Sequence, residues 1–125
     1  MQITLYGIPN CDTVKKARAW LADHGVAYHF HDFKKAGADP ALLAAWAADA
    51  SWEVLLNRRG TTWRALPEAQ RDAVVDADSA IALMATSPSL IKRPVLATQG
   101  AVHVGFTPDV YARIFGGASS DRSAA

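Results

Sequence analysis

The first 32 residues contain two short strand-like runs separated by one longer amphipathic run. Residues 2–6 have the pattern of a short buried strand, and residues 12–24 have the pattern of a helix. The apolar side of this helix carries Val14, Ala17, Trp20 and Leu21. Gly25 is a typical C-terminal cap, and residues 26–32 then alternate like a second strand. This order predicts a parallel pair of strands joined by a right-handed crossover.

The middle of the chain has a helical pattern from about residue 39 to about residue 87. Asp39 and Pro40 predict an N-cap followed by the first helical residue, and an alanine-rich helix covers 41–50. Shorter helices are predicted over 52–56, 67–76 and 78–86, with a basic turn at 57–60 between the first two. This block separates the first two strands from the rest and is interpreted as a helical insertion.

The last third of the chain returns to strand patterns. Residues 94–98 and 101–105 are joined by Gln99-Gly100 and predict a hairpin. A final helix starts at Thr107-Pro108 and runs to about residue 115, and the small, polar residues 116–125 predict a disordered tail. The resulting order is β-α-β, a helical block, then β-β-α. It predicts one α/β domain over 1–115, with a thioredoxin-like mixed sheet of about four strands.

Composition narrows the possible functions. The chain has 125 residues with a formal net charge of +1, which fits one domain and offers no broad basic field for nucleic acid. It has neither the pattern of a signal peptide nor an apolar run long enough to span a membrane. A single cysteine cannot form an internal disulfide, which is typical of a reducing compartment. We therefore expect a cytoplasmic protein that makes no direct contact with nucleic acid or membrane.

Cys11 is that cysteine, and it lies where the first predicted strand passes into the first predicted helix. Free N–H groups and the positive dipole end at a helix start favour the thiolate, which is the reactive form of cysteine. The flanking Pro9, Asn10, Asp12 and Thr13 are turn and capping residues rather than core residues. The alternative is a small buried residue without chemistry. The neighbouring residues favour a nucleophile.

Several polar neighbours are candidates for supporting roles. Thr13 either donates its hydroxyl to the Cys11 sulfur or caps the helix, and capping is the favoured interpretation. Asn10 either orients the loop through a bond to the backbone or touches substrate. Only one of Lys15 and Lys16 is expected to face the thiol, and Lys15 is preferred.

Other chemistry-bearing residues have simpler interpretations. Arg58 and Arg59 form either an anion site or a solvated basic turn. His29 and His31 share one strand face, but no cysteine or carboxylate pattern completes a ligand set, so no metal site is predicted. The four tryptophans have spacings typical of helix burial and are predicted to lie in the core: Trp20, Trp46, Trp52 and Trp63.

A series of motifs follows one order along the chain. The longest motif covers residues 5–18 and includes Cys11. It is followed by Phe30-His31-Asp32, residues 52–57, residues 59–64, Ser79-Ala80, residues 91–94 and Gly105-Phe106. From residue 2 to about residue 115, this series resembles the arsenate reductase/Spx superfamily, and its YffB branch above all. It implies a thioredoxin-like fold, a nucleophile at Cys11, and an arginine followed by a cis-proline at Arg93-Pro94.

The departures from this pattern are informative. Arsenate reductases of the superfamily place three arginines around the cysteine, and the corresponding positions here are Asn57, Arg93 and Phe106. Arg59 resembles an arginine that the Spx and YffB branches keep in the same loop. Because guanidinium groups bind oxyanions through charge-assisted hydrogen bonds worth roughly 1.5–3 kcal/mol each, efficient arsenate reduction is not expected.

Regulators of the Spx type resemble this fold, bind RNA polymerase and commonly carry a Cys-x-x-Cys switch. The corresponding residues here run from Cys11 to Val14, so that switch cannot form. The favoured interpretation is a monothiol reductase without a tightly bound cofactor, in which glutathione or a glutaredoxin resolves a mixed species on Cys11. Arg59, Arg93 and Lys15 would hold the glutathione carboxylates. The alternatives are an arsenate reductase that uses glutathione or glutaredoxin, and an RNA polymerase-binding regulator without a redox switch.

Overall fold

The computed structural model describes residues 2–98 and 100–116, and its elements follow the predicted order. The elements are β1 Thr4–Gly7, α1 Asp12–Asp23, β2 His29–Asp32, α2 Phe33–Ala36, α3 Pro40–Ala50, α4 Trp52–Leu55, α5 Thr61–Ala65, α6 Glu68–Asp72, α7 Ala77–Thr86, a 3₁₀ turn Pro88–Leu90, β3 Val95–Thr98, β4 Ala101–Val104, α8 Pro108–Tyr111 and a π-helical turn Ala112–Gly116. The predicted tail lies outside the described residues from residue 117 onward.

One mixed sheet holds the four strands in the order β2-β1-β3-β4. β1 pairs with β2 in parallel, and the antiparallel pairs β1–β3 and β3–β4 complete the sheet. The two parallel strands are connected by α1, as the strand-helix-strand opening predicted. This arrangement confirms the predicted α/β thioredoxin-like fold.

Alternating side chains divide the core between the two faces of the sheet. Leu5 and its partner Leu96 point to the face covered by α1 and α8, where they pack with Ala17 and Leu21. The next pair, Tyr6 and Val95, faces the other side and packs on the helical block. Because successive strand residues point to opposite faces, one pair of strands supplies both cores.

The helical block differs from its predicted boundaries at two points. The helix predicted over 67–76 is only α6, because the chain leaves the helix at Ala73 and the Ser79 hydroxyl accepts the N–H groups of Val75 and Asp76. Asp76 then caps α7 by accepting the Ser79 N–H, so α7 starts one residue earlier than predicted. These Ser79 hydrogen bonds hold the pKa of Asp76 below its usual range.

Two short helices were not predicted. α2 begins where Asp32 accepts the N–H of Lys34, and it buries Phe33 against the helical block. α5 follows Gly60 and carries Trp63 on its inner side. Of the four tryptophans predicted in the core, Trp46 is buried, whereas Trp20, Trp52 and Trp63 are half-buried and pack against its two clusters.

Tyr111 is fully buried, and its hydroxyl has no hydrogen-bond partner among the described residues. Burial also raises the pKa of Tyr111 far above its usual range. Its ring packs edge-on against Phe106 and Trp20, contacts that do not need the hydroxyl. Tyr111→Phe is therefore expected to leave the free energy of unfolding unchanged or raise it by up to about 1 kcal/mol. Urea unfolding measures this, and a loss above about 1 kcal/mol would reveal a partner for the hydroxyl.

Candidate functional site

Cys11 is the N-cap residue of α1. Its carbonyl accepts the N–H of Lys15 at 2.9 Å, and its own N–H closes the Pro9-Asn10 turn by donating to Ile8 O at 3.4 Å. The residue is partly exposed, and no side chain caps the helix. The first N–H groups of α1 are therefore not taken by a capping side chain. Such groups, together with the helix dipole, stabilise an anion at this end of a helix.

The predicted cap by Thr13 is wrong. Because the Pro9-Asn10 turn ends at Cys11, the cysteine has the extended backbone of an N-cap and Thr13 is already the second helical residue. No side-chain capping bond is present at this end of the helix. A contact between the Thr13 hydroxyl and a thiolate at Cys11 stays a prediction, and the half-buried position of Thr13 allows one.

The peptide bond between Arg93 and Pro94 is cis, which is the geometry that the resemblance implies. Pro94 is buried, and its carbonyl accepts the N–H of Gly105 at 2.8 Å. In the antiparallel pair of β1 and β3, Tyr6 lies opposite Val95. Residues after Tyr6 and residues before Val95 therefore leave the sheet at the same edge. The turn that leads to Cys11 and the Arg93-Pro94 segment meet at that edge.

Arg93 is partly exposed and folds back on its own segment. Its Nη1 donates to the carbonyl of Ser89 at 2.9 Å and to that of Ile91 at 3.4 Å. Its Nε is buried and has no partner among the described residues. Buried donors usually find acceptors, so this unpaired Nε is an exception among the described residues. The main-chain bonds hold the guanidinium against residues 89–91, just before the cis-proline.

The loop that carries Arg59 is tied to the same segment. Leu56 forms an antiparallel bridge with Ile91, Asn57 N–H donates to Leu90 O at 2.8 Å, and Lys92 N–H donates to Leu55 O at 2.7 Å. The Asn57 side chain accepts the Arg59 N–H at 3.1 Å, which sets the turn. A cleft of about 380 Å³ opens here, lined by Glu53, Val54, Leu56, Asn57, Arg58, Arg59 and Lys92. Arg59 therefore lies beside the chain that leads to Arg93.

The remaining predicted site residues are placed as follows. Lys15 is exposed one helical turn beyond Cys11, on the same side of α1, whereas Lys16 is turned further round the helix. Asn10 is exposed in the turn before Cys11. Phe106 packs edge-on against Tyr111, with ring centroids 4.6 Å apart. The turn before Cys11 and the Arg93-Pro94 segment thus meet at one edge of the sheet, and the Arg59 loop is bonded to the chain before Arg93. Phe106 belongs to the apolar cluster.

Two contributors to the site were not predicted from the sequence. Gly7 ends β1 directly against Val14 of α1, and a glycine inside a strand pattern is the signal for such close approach. Lys92 lines the cleft with Arg59, and only its position next to Arg93 could have suggested it.

No group of three or more His, Cys, Asp or Glu side chains lies close enough together to hold a metal ion within residues 2–98 and 100–116. In the same part of the chain, no helix is long and apolar enough to cross a membrane.

Comparison with known proteins places this arrangement in a family. A solved structure described as YFFB protein shares 54% identity and superposes with a TM-score of 0.86, over 90% of this chain and 97% of that one. The solution structure of an arsenate reductase related protein from Brucella melitensis also shares 54% identity, with a TM-score of 0.72, over 92% of this chain and 95% of that one. The global transcriptional regulator Spx of Streptococcus pyogenes is 27% identical over 86% of this chain and 80% of its own length.

The family model of ArsC matches residues 6–114, a range that contains Cys11, the Arg59 loop and the cis Arg93-Pro94 bond. Together with relatives of high identity over nearly their whole lengths, this match means that the chain belongs to the ArsC family.

Proposed function

We propose that this arsenate reductase-like protein is a monothiol reductase that uses Cys11 as its nucleophile and glutathione as its co-substrate. The observation that carries the proposal is the position of Cys11: a partly exposed thiol at the uncapped start of α1, at the sheet edge that also holds the cis-proline segment. A thiolate at such a helix start is the usual nucleophile in thiol exchange.

The proposed reaction reduces a mixed disulfide between glutathione and another thiol. The Cys11 thiolate attacks the glutathione sulfur, the mixed disulfide bond breaks, and the other thiol leaves as a thiolate that takes up a proton. A second glutathione then attacks the glutathione sulfur bound to Cys11, which releases oxidised glutathione and restores the Cys11 thiolate. Two electrons pass from glutathione to the substrate in each cycle. A glutaredoxin supplies the second thiol equally well in this scheme.

The cations around the edge suit a substrate that carries carboxylates. Glutathione has two carboxylate groups, and in this proposal Arg93, Arg59 and Lys15, which lie on three different segments, bind them. Arginine pairs well with carboxylates because its N–H groups form parallel bonds to both oxygens. Arg93 has its Nη1 committed to main-chain carbonyls and its Nε buried, so Nη2 is the nitrogen that would bind a carboxylate.

Arsenate fits the edge less well. Of the three positions that resemble those of arsenate-binding arginines, only Arg93 carries a guanidinium, and it is partly engaged with its own backbone. Phe106 is packed on Tyr111, and Asn57 holds the turn of its own loop. We therefore place a glutathione mixed disulfide above arsenate as the substrate.

Replacing Cys11 by serine tests the proposal. With the mixed disulfide of glutathione and 2-mercaptoethanol as substrate, we expect turnover to fall to the rate measured without protein, because a hydroxyl cannot form the disulfide intermediate. The assay couples oxidised glutathione to NADPH oxidation through glutathione reductase. Mass spectrometry of the wild-type protein should also show one glutathione attached to Cys11.

A control variant and a second substrate complete the experiment. Asp23→Ala, an exposed site at the opposite end of α1 from Cys11, should turn over at the wild-type rate, which controls for handling. Arsenate offered in place of the disulfide should give much slower oxidation of glutathione. Turnover retained in Cys11→Ser would contradict the proposal, and so would a wild-type protein that is active with arsenate and silent with the disulfide.

A further inference from the structure

A second cleft shares Arg58 with the one described above. Its volume is about 490 Å³, and it is lined by Arg58, Trp63, Arg71, Asp72 and Val74. Arg58 also lines the 380 Å³ cleft that contains Arg59 and Lys92. The two clefts therefore form one continuous surface, centred on Arg58 and built from the 57–60 loop, α4, α5, α6 and the chain at Lys92. We call this surface the Arg58 face.

Two arginines of the Arg58 face contact uncharged groups, which do not neutralise the positive charge of the arginines. The Arg58 guanidinium lies over the Trp52 ring, 5.5 Å from its centroid, and Arg71 Nη1 makes a long 3.5 Å bond to the carbonyl of Arg64. A ring and a neutral carbonyl do not neutralise a guanidinium. Arg59 and Lys92 are exposed and line the smaller cleft. Four positive side chains thus line two joined clefts.

The Arg58 face also exposes apolar side chains. Three large hydrophobic residues are exposed among the described residues, and two of them lie on this face or next to it. Val54 lines the smaller cleft and is 46% exposed. Val75 follows Val74 of the larger cleft and is 73% exposed. Trp63 is half-buried in the larger cleft. Arginine and tryptophan are the residue types that dominate binding energy in protein interfaces.

We propose that the Arg58 face is a docking surface for an acidic segment of a partner protein, in which carboxylates alternate with apolar side chains. Each cleft contains one carboxylate of its own, Glu53 or Asp72, beside its cations. A continuous phosphate backbone would meet both carboxylates, whereas a peptide can place an apolar or polar residue there. The chain as a whole has a net charge of only +1, which gives no field for nucleic acid. The inference does not depend on the chemistry of Cys11.

Fluorescence anisotropy with short labelled peptides tests the proposal. The first peptide alternates Glu with Leu and Ser, the second replaces every Leu by Ser, and the third replaces every Glu by Lys. We expect the first peptide to bind, the second to bind more weakly because it loses contacts with Trp63 and Val54, and the third not to bind. An oligothymidylate of equal charge is the probe for nucleic acid.

Charge-reversal variants localise the binding. Arg58→Glu and Arg71→Glu should each weaken binding of the first peptide by roughly tenfold, whereas Lys35→Glu, which makes the same charge change on exposed α2, should change it less than about twofold. Arg58→Gln and Arg71→Gln give the same test without adding a negative charge, and circular dichroism confirms that each variant is folded. The indole N–H signal of Trp63 should shift on binding, while that of Trp20 should not.

The results that would overturn the proposal are distinct from those that would overturn the reductase. Cys11→Ser should bind the first peptide as the wild type does, so loss of turnover and loss of docking are separate readouts. Equal effects of Arg58→Glu and Lys35→Glu would mean that binding reflects overall charge and that the Arg58 face is not the site. Tighter binding of the oligothymidylate than of the first peptide would assign the face to nucleic acid and reject an acidic protein segment.

Discussion

Replacing Trp46 by alanine is expected to lower the free energy of unfolding by about 3–5 kcal/mol. Trp46 is 2% exposed on α3, and its ring packs edge-on against Tyr6 of β1, with centroids 4.6 Å apart. It also contacts the ring of Phe33, at 6.4 Å between centroids. Because α3 and β1 are separate elements on either side of that ring, neither can close the space that alanine would leave.

The size of the effect follows from where Trp46 lies. It joins the helical block to the central strand of the sheet, on the face opposite α1. A domain of this size is stable by roughly 5–15 kcal/mol, so the loss is a large share of the total. Urea unfolding monitored by circular dichroism measures it. Trp52→Ala is the matched control, because Trp52 is half-buried and should cost clearly less. Equal costs at the two positions would show that Trp46 does not hold the block to the sheet.

The sheet and the first helix could be predicted because their apolar residues recur with the regular period of a strand or of a helix. Leu5 and Tyr6 face opposite cores, and so do Leu96 and Val95, which is the signature that the strand patterns carried. The helical block was harder because its ends depend on single side-chain bonds. Nothing in the run of helix-forming residues after Pro67 shows that the Ser79 hydroxyl will take the N–H groups of residues 75 and 76.

The sequence indicated which segments form the site, but not which contacts their side chains make. Cys11 could be placed at a helix start from the sequence, but three neighbouring residues there can all serve as caps, so the assignment of Thr13 missed by two positions. The bonds from Arg93 to Ser89 and Ile91, and the cleft shared by Arg58 and Trp63, depend on how distant segments pack. No local pattern carries that information.

The second large effect is expected at Gly7, where β1 meets α1. A Cβ at Gly7 would lie 2.8 Å from Cγ2 of Val14 and 3.3 Å from its Cγ1. Val14 is fully buried, and its branched side chain has little rotational freedom, so it cannot move aside. Gly7→Ala is therefore expected to lower the free energy of unfolding by about 1–3 kcal/mol, the usual cost of overpacking.

A double-mutant cycle separates this clash from the other effects of adding a methyl group. Val14→Ala removes the two methyl groups that the new Cβ would meet, so Gly7→Ala should cost at least about 1 kcal/mol less in the Val14→Ala background than in the wild type. Gly60→Ala is the control for a close contact that can relax. A Cβ at Gly60 would also meet an atom at 2.8 Å, but that atom is Nδ2 at the end of the flexible Asn57 side chain, so the loss of stability should be smaller. Equal costs for Gly7→Ala in both backgrounds would contradict the clash.

The same contact links the packing of the first helix to the proposed chemistry. Val14 is three residues after Cys11, so pushing it away from β1 moves the start of α1 and the thiol with it. Gly7→Ala should therefore also lower turnover of the glutathione mixed disulfide, and Val14→Ala should restore part of it in the double variant. Gly60→Ala changes no residue of α1 and should leave the rate of Cys11 alkylation by iodoacetamide unchanged. A stability loss in Gly7→Ala with unchanged alkylation and turnover would show that the start of α1 keeps its position and that the strain is relieved elsewhere.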